Sequence, residues 1–272
     1  MTVEHHLVAE ALSAGYHERI VVKELDLAIP AGRITAIVGA NACGKSTLLR
    51  SLSRLLPPRS GQRLLDGRAI HRIPSRELSR MLGLLPQAPI APEGITVAEL
   101  VSRGRHPHHR LMSRWSPGDD AAVAEALEAT HIAELADRPV DELSGGQRQR
   151  VWIALALAQQ TDLLLLDEPT TFLDVCHQAE MLDLLADLNR KRGTTVVMVL
   201  HDLNLAARYS DCLVAMRAGQ LYKMGSPDEI LTVDTVRAVF GLESRIIPDP
   251  VSGKPIMLPI GRHHITTDGP AG

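Results

Sequence analysis

Eight consecutive residues carry the clearest chemistry in this 272-residue chain. Gly39-Ala40-Asn41-Ala42-Cys43-Gly44-Lys45-Ser46 matches G-x4-G-K-[ST], and Thr47 follows directly. Such a loop turns its backbone N–H groups toward one point and opens a helix behind it, which makes an anion site. Lys45 is then the cation for β- and γ-phosphates, and Ser46 offers its hydroxyl to Mg²⁺. A second pair, Asp167-Glu168, closes a run of four leucines. A carboxylate at the end of a buried strand is costly without a cation or hydrogen-bond partner. In phosphoryl-transfer proteins such an Asp holds Mg²⁺, usually through water, and Glu168 is placed to orient or deprotonate the attacking water. Alone, the two acids also read as a solvated turn; the phosphate loop earlier in the chain favours the metal.

These groups need elements to position them. Arg33 to Val38, RITAIV, reads as a buried strand entering the loop, and IVVKELDLAI before it as a second strand. Leu48, Leu49, Leu52, Leu55 and Leu56, spaced three and four apart, predict an amphipathic helix that Pro57-Pro58 end. Gly61 to Ile73 reads as strands around an Asp66-Gly67 turn, 76–82 as a helix and GLLPQ as a strand. Residues 88–118 are punctuated by Pro and Gly. Helices follow from Asp119 to Thr130 and from Ser144 through Val151–Ala158. LLLLDEP and TTVVMVLHD are short apolar strands. Strands alternating with helices predict a parallel sheet with crossover helices. RIIPDPVSGKPIMLPIG, near the end, could form a small hairpin, and there is no internal repeat. At Ser144 the opening helix leaves N–H groups unpaired and outward, and Gly145 and Gly146 would let a phosphate approach. That is a second anion site, or an ordinary Ser-capped helix.

Composition excludes several classes. Hydrophobic residues are 45% and charged residues 22%, ordinary globular usage. Aromatics are 3%, so the core must be aliphatic. A net charge of −3 gives no electrostatic footprint for nucleic acid. Cys43, Cys176 and Cys212 are scattered, which suits free thiols in a reducing compartment. Cys43, at a helix N-terminus, sits where a thiol pKa is lowered. The longest apolar run, Val151 to Ala158, is far short of the ~20 residues of a spanning helix. The start, MTVEHHLVAE, does not read as a signal peptide. His5-His6, His106, His108, His109 and His263-His264 lack an alternating ligand pattern and read as loop residues near a partner surface.

Leu143-Ser144-Gly145-Gly146-Gln147 resembles the signature of ATP-binding cassette (ABC) ATPases, and in order with GKST and LLLLDEP the resemblance covers residues 7–240. It implies an α/β P-loop NTPase fold: a mainly parallel core sheet, an antiparallel β subdomain and an α-helical signature subdomain over roughly 88–160. The cassette would span 3–243, with 244–272 a C-terminal extension. It implies ATP and Mg²⁺ as ligands. Gln87 resembles the residue that reaches Mg²⁺ and the attacking water, and His201 the one that contacts the γ-phosphate. Asp174, in TTFLD, falls within the pattern, and Tyr16 sits where the family stacks a ring on adenine. Ser144, Gly145, Gly146 and Gln147 would act on the ATP of the opposite subunit in a head-to-tail homodimer. Related loops often carry Gly and Ser where this one has Ala42 and Cys43; neither side chain is needed if the backbone binds.

VSRGRHPHH, from Val101, and GLESRIIPDPVSGKPIMLP resemble stretches of the ATPases that serve iron–siderophore, haem and vitamin B12 importers. The resemblance implies an ATPase subunit peripheral to the cytoplasmic face of the inner or plasma membrane. Its partners would be transmembrane permease subunits and, indirectly, a substrate-binding protein. Two other readings are a soluble non-transport ABC ATPase, which usually has two cassettes or a long coiled-coil insert, and a P-loop kinase or GTPase, which would lack LSGGQ.

Overall fold

The computed structural model describes residues 4–87, 89–109 and 115–261; His263-His264 lie outside them. β1 (Leu7–Tyr16) and β2 (Arg19–Ala28) pair antiparallel. β3 (Ile34–Gly39), buried throughout, runs into the phosphate loop and α1 (Lys45–Leu52). β4 (Ser60–Leu65) and β5 (Arg68–Ala69) complete a four-stranded antiparallel sheet of order β2-β1-β4-β5. β1 went unread in the sequence because register shifts between Ala9 and Leu12, and again before Ala14, break its alternation. α1 stops four residues short of Leu56. Arg54 adopts a left-handed φ of 70°, and buried Arg63 donates to the carbonyls of Ser51 and Leu56. Leu55 is left exposed.

α2 (Ser75–Met81) precedes β6 (Leu82–Leu85). The Pro- and Gly-rich stretch that follows holds α3 (Val97–Ser102), started by a Thr96–Glu99 capping box, and a 3₁₀ segment over Arg103–His108. With α4 (Pro117–Ala129) and α5 (Gly145–Ala158) it encloses its own aliphatic cluster around Leu100, Val123, Leu127 and Val151. Arg105 pins this region: Nε meets Asp119 at 3.0 Å and Nη1 donates to Ala158 O at 2.8 Å, both side chains buried.

β7 (Leu163–Asp167), α6 (Val175–Arg192), β8 (Thr195–Val199), α7 (Leu203–Tyr209), β9 (Cys212–Arg217) and β10 (Gln220–Gly225) complete the core. The six-stranded sheet has order β10-β9-β3-β8-β7-β6, parallel except for β10 against β9. α8 (Pro227–Ile230) and α9 (Val233–Phe240) lead to the antiparallel hairpin of β11 (Ser244–Pro248) and β12 (Pro255–Pro259). Among the described residues no helix is long and apolar enough to cross a membrane.

Candidate functional site

The parallel strands end at one edge of the core sheet, and the ends of β3, β7 and β8 deliver the chemical groups there. Gly39, the last residue of β3, has φ 155°, and Gly44 has φ 107° as α1 begins. Lys45 is 5% exposed and curls back, its Nζ donating to Gly39 O at 2.8 Å and Ala40 O at 3.1 Å. Those two carbonyls hold the ammonium beside the loop. Ser46 Oγ donates to Asp167 Oδ1 at 2.8 Å. Asp167 is 1% exposed, and among the described residues its Oδ2 has no hydrogen-bond partner; Arg50 Nε lies 3.8 Å from it. Burial raises the Asp167 pKa, against the lowering pull of Ser46 and Arg50. A hydroxyl beside an orphaned, buried carboxylate oxygen is a hard-oxygen donor set suited to Mg²⁺.

Glu168 follows at φ 56°, a left-handed conformation uncommon outside glycine. The turn aims its carboxylate into the cleft rather than along the strand. Gln87 Nε2 donates to Oε2 at 2.8 Å and Thr171 Oγ1 to the same oxygen at 3.2 Å. His201 Nε2 lies 2.7 Å from Oε1. Glu168 is 9% exposed and His201 half exposed, so the pair faces the cleft from its floor and its rim. The cleft, about 470 Å³, is lined by Asn41, Ala42, Gly44, Lys45, Ser46, Thr47, Gln87, Glu168 and His201, with Arg19 and Val21 of β2. Thr171 and Arg19 were not singled out from sequence. Thr171 sits one turn beyond Glu168, and nothing local to Arg19 points to the loop.

The other expected residues lie elsewhere. Tyr16, at the end of β1, is 41% exposed, and Arg50 Nη1 donates to its hydroxyl at 3.2 Å. Gly145 lines a separate cleft of about 270 Å³ with Pro89, Arg148, Gln149, Trp152 and Phe172, which meets the first only at Gln87. The Ser144 N–H is not unpaired, as expected from the helix start; it donates to Gln147 Oε1 at 3.0 Å, and Gln147 N–H donates to Ser144 Oγ at 3.2 Å. The reciprocal capping box accounts for both. Of the N–H groups from Ser144 to Gln147, those of Gly145 and Gly146 have no hydrogen-bond partner among the described residues. Asp174 caps α6, Oδ1 accepting from His177 N–H at 2.9 Å.

Cys43 also departs from expectation. Its side chain is buried in the aliphatic core, and that burial raises the thiol pKa despite Lys45 nearby. Its carbonyl accepts from Gly219 N–H at 2.9 Å, and Gly219 O accepts from Lys23 N–H at 2.9 Å. The turn between β9 and β10 thus braces the phosphate loop from behind. Three of the other histidines have partners of their own. His5 Nδ1 meets Asp66 at 2.7 Å, His108 Nε2 meets Gln159 O at 2.8 Å, and His109 stacks on Trp115.

The ABC transporter family matches residues 22–171. The "Probable siderophore transport system ATP-binding protein YusV" of Bacillus subtilis (strain 168) is 53% identical over 253 residues, 93% of this chain and 92% of that protein. The ferric enterobactin transport ATP-binding protein FepC of Escherichia coli (strain K12) is 51% identical over 256 residues, 94% of each. Among solved structures, the dimeric structure of MJ0796, a bacterial ABC transporter cassette, superposes with a TM-score of 0.74 at 28% identity, covering 81% of this chain and 98% of that one. A phosphate loop, a buried acid pair at a parallel strand end and this breadth of likeness converge: the chain is an ATP-binding cassette of the ABC transporter family.

Proposed function

We propose that this chain is the ATP-hydrolysing subunit of an importer for iron–siderophore complexes. It works as a head-to-tail homodimer on transmembrane permease subunits at the cytoplasmic membrane face, and a substrate-binding protein delivers the chelate. The observation that carries the hydrolytic part is the Glu168 carboxylate, fixed by Gln87, Thr171 and His201 beside Lys45, Ser46 and Asp167. The substrate class rests on the relatives: YusV and FepC are named for siderophore and ferric enterobactin transport.

In this reading Lys45 leaves Gly39 O and Ala40 O for the β- and γ-phosphates, which the loop N–H groups cradle. Ser46 and Asp167, with Gln87, would hold Mg²⁺, which supplies neutralising charge to those phosphates. Glu168 takes a proton from the attacking water; its two held oxygens restrict the carboxylate to one orientation. His201 spans from Glu168 toward the γ-phosphate. The exposed Tyr16 ring stacks on adenine. The free N–H groups of Gly145 and Gly146, with Ser144, Gln147 and Asp174, serve the ATP bound by the second subunit. The segment between Gln87 and Ser144 receives a coupling helix of the permease.

Glu168→Gln tests the reading. The variant binds ATP, loses turnover by about 10²–10⁴-fold, and accumulates an ATP-loaded dimer on size-exclusion chromatography. Cells lacking the chain stop taking up labelled ferric siderophore, and regain uptake with the parent but not with Glu168→Gln. Parent-level turnover in the variant, or unimpaired uptake in cells lacking the chain, overturns the respective part.

A further inference from the structure

The short helix α7 starts one residue beyond His201, after its cap Asp202, and few of its side chains are fully buried. Only Leu203, Ala206 and Ala207 are buried there, and two of the three are alanines. Asp202 caps it, Oδ1 accepting from Asn204 and Leu205 N–H, which ties the residue next to His201 to the first turn. Beside a side-chain hydrogen bond between Tyr209 and Asp183 of α6, what fixes α7 lengthwise comes from the C-terminal hairpin. Asn204 pairs with the backbone of Met257 in both directions: Nδ2 donates to Met257 O at 3.1 Å and Oδ1 accepts from Met257 N–H at 2.7 Å. One turn on, Arg208 Nε and Nη2 both donate to Asp249 Oδ2, at 3.0 and 2.6 Å. At the far end Lys254 Nζ donates to Ser210 O at 2.7 Å.

The hairpin end of these bonds is itself rigid. Asp249 is buried; Ser252 Oγ donates to its Oδ2 and Val251 N–H to its Oδ1. Asp249 N–H and O close the turn on Lys254 O and Gly253 N–H. Ile246 and Met257 pack on the same core cluster as Ala206 and Ala207. Leu205 and Tyr209 also pack on that cluster, so apolar contact seats α7 against the sheet while the directional polar bonds from the hairpin set its position along its axis.

We propose that the C-terminal hairpin is a positioning element for the proposed catalytic centre. Asn204, Arg208 and Asp249 hold α7 where His201 Nε2 stays on Glu168. The inference rests on the role given to His201 above. A hairpin that merely covered the core would affect stability; a strap on α7 affects turnover through His201.

The test uses the full chain with Asp249→Asn and, as a milder second variant, Asn204→Ala. Each is made in the parent and in the His201→Ala background. Expected is a drop in kcat of about tenfold, within the range a small misplacement of a reacting group costs, with KM for ATP unchanged. No further loss is expected on top of His201→Ala, measured in single turnovers. In ¹³C-histidine spectra the His201 ring signal, assigned by its absence in His201→Ala, moves in both variants while the His5 and His108 signals stay. An unmoved His201 signal, an unchanged kcat, or the same fold loss in both backgrounds overturns the strap. Parent-level turnover in His201→Ala alone instead overturns the reading of His201, and the strap with it.

Discussion

Gly39→Ala is the sharpest probe of how the phosphate loop is built. The residue has φ 155° and pairs with Met216 of the neighbouring parallel strand. A Cβ there would stand 2.4 Å from Met216 O and 2.7 Å from Cys43 Sγ. The carbonyl belongs to a buried central strand and cannot retreat; the thiol can move only into packed core. Overpacking costs about 1–3 kcal/mol, and the strained backbone about 1–3 more. The sum, about 2–6 kcal/mol, is a large share of a typical stability of about 5–15 kcal/mol. Gly67 is the control. It also has positive φ, 73°, but nothing lies within 4 Å of its would-be Cβ. Gly67→Ala therefore carries only the backbone part, about 1–2 kcal/mol. Adding Cys43→Ala to Gly39→Ala removes one of the two collisions and restores part of the loss. Urea unfolding followed by circular dichroism gives the stabilities, and titration calorimetry gives ATP affinity, which falls in Gly39→Ala. If Gly39→Ala costs no more than Gly67→Ala, the close approach to Met216 is not what requires glycine.

Three further outcomes follow from the same geometry. Native protein has one fast-reacting thiol, exposed Cys176, and three after unfolding; a second fast thiol slowed by ATP would contradict the burial of Cys43. Arg105→Met takes the guanidinium from buried Asp119, leaving it the Ser116 hydroxyl and His109 Nε2 at 3.5 Å, and costs about 3 kcal/mol, the low end for breaking a buried pair. Asp119 is held at a pKa of about 2, by the Ser116 hydroxyl first and Arg105 next. Its ordinary value is about 3.9, so its stabilisation is present above pH ~4 and lost as pH falls toward 2; Arg105→Met makes that acid limb shallower while Ser116 maintains the rest, and an unaltered limb argues against the coupling. Mixing Lys45→Ala with Ser144→Arg yields heterodimers with one intact composite site, measured as recovered ATP binding; binding no better than in either variant, with heterodimers present, excludes a shared site.

Much of the core was legible because strands buried on both faces read as unbroken apolar runs: RITAIV and LLLL need no partner to be recognised. Where a strand bends, as β1 does at its bulges, the period-two signal fails. α3 was hidden by the glycines and prolines around it, and α6 by a long polar surface with only Met181, Leu182 and Leu185 buried. At the site, the spacing of Gly39, Gly44 and Lys45 states its own purpose, whereas Gln87 and His201 are anonymous until the fold sets both on Glu168. The Cys43 thiol was misread because a local rule about helix starts yielded to burial, which only tertiary packing reveals.

The brace behind the phosphate loop has a consequence for the order of synthesis. β3 gains its two sheet neighbours only from β8 and β9, and Cys43 meets its support only at Gly219. Pairings of such sequence separation form late. The GKST motif is synthesised 172 residues before Gly219 (219 − 47), which is roughly 9–34 s at about 5–20 residues per second. Until β8 and β9 are made the motif has neither flanking strand, and until Gly219 it has no backing turn. Competence to hold nucleotide therefore waits for β8, β9 and the turn after them, and chains that stop before β9 release the motif without the frame that shapes it.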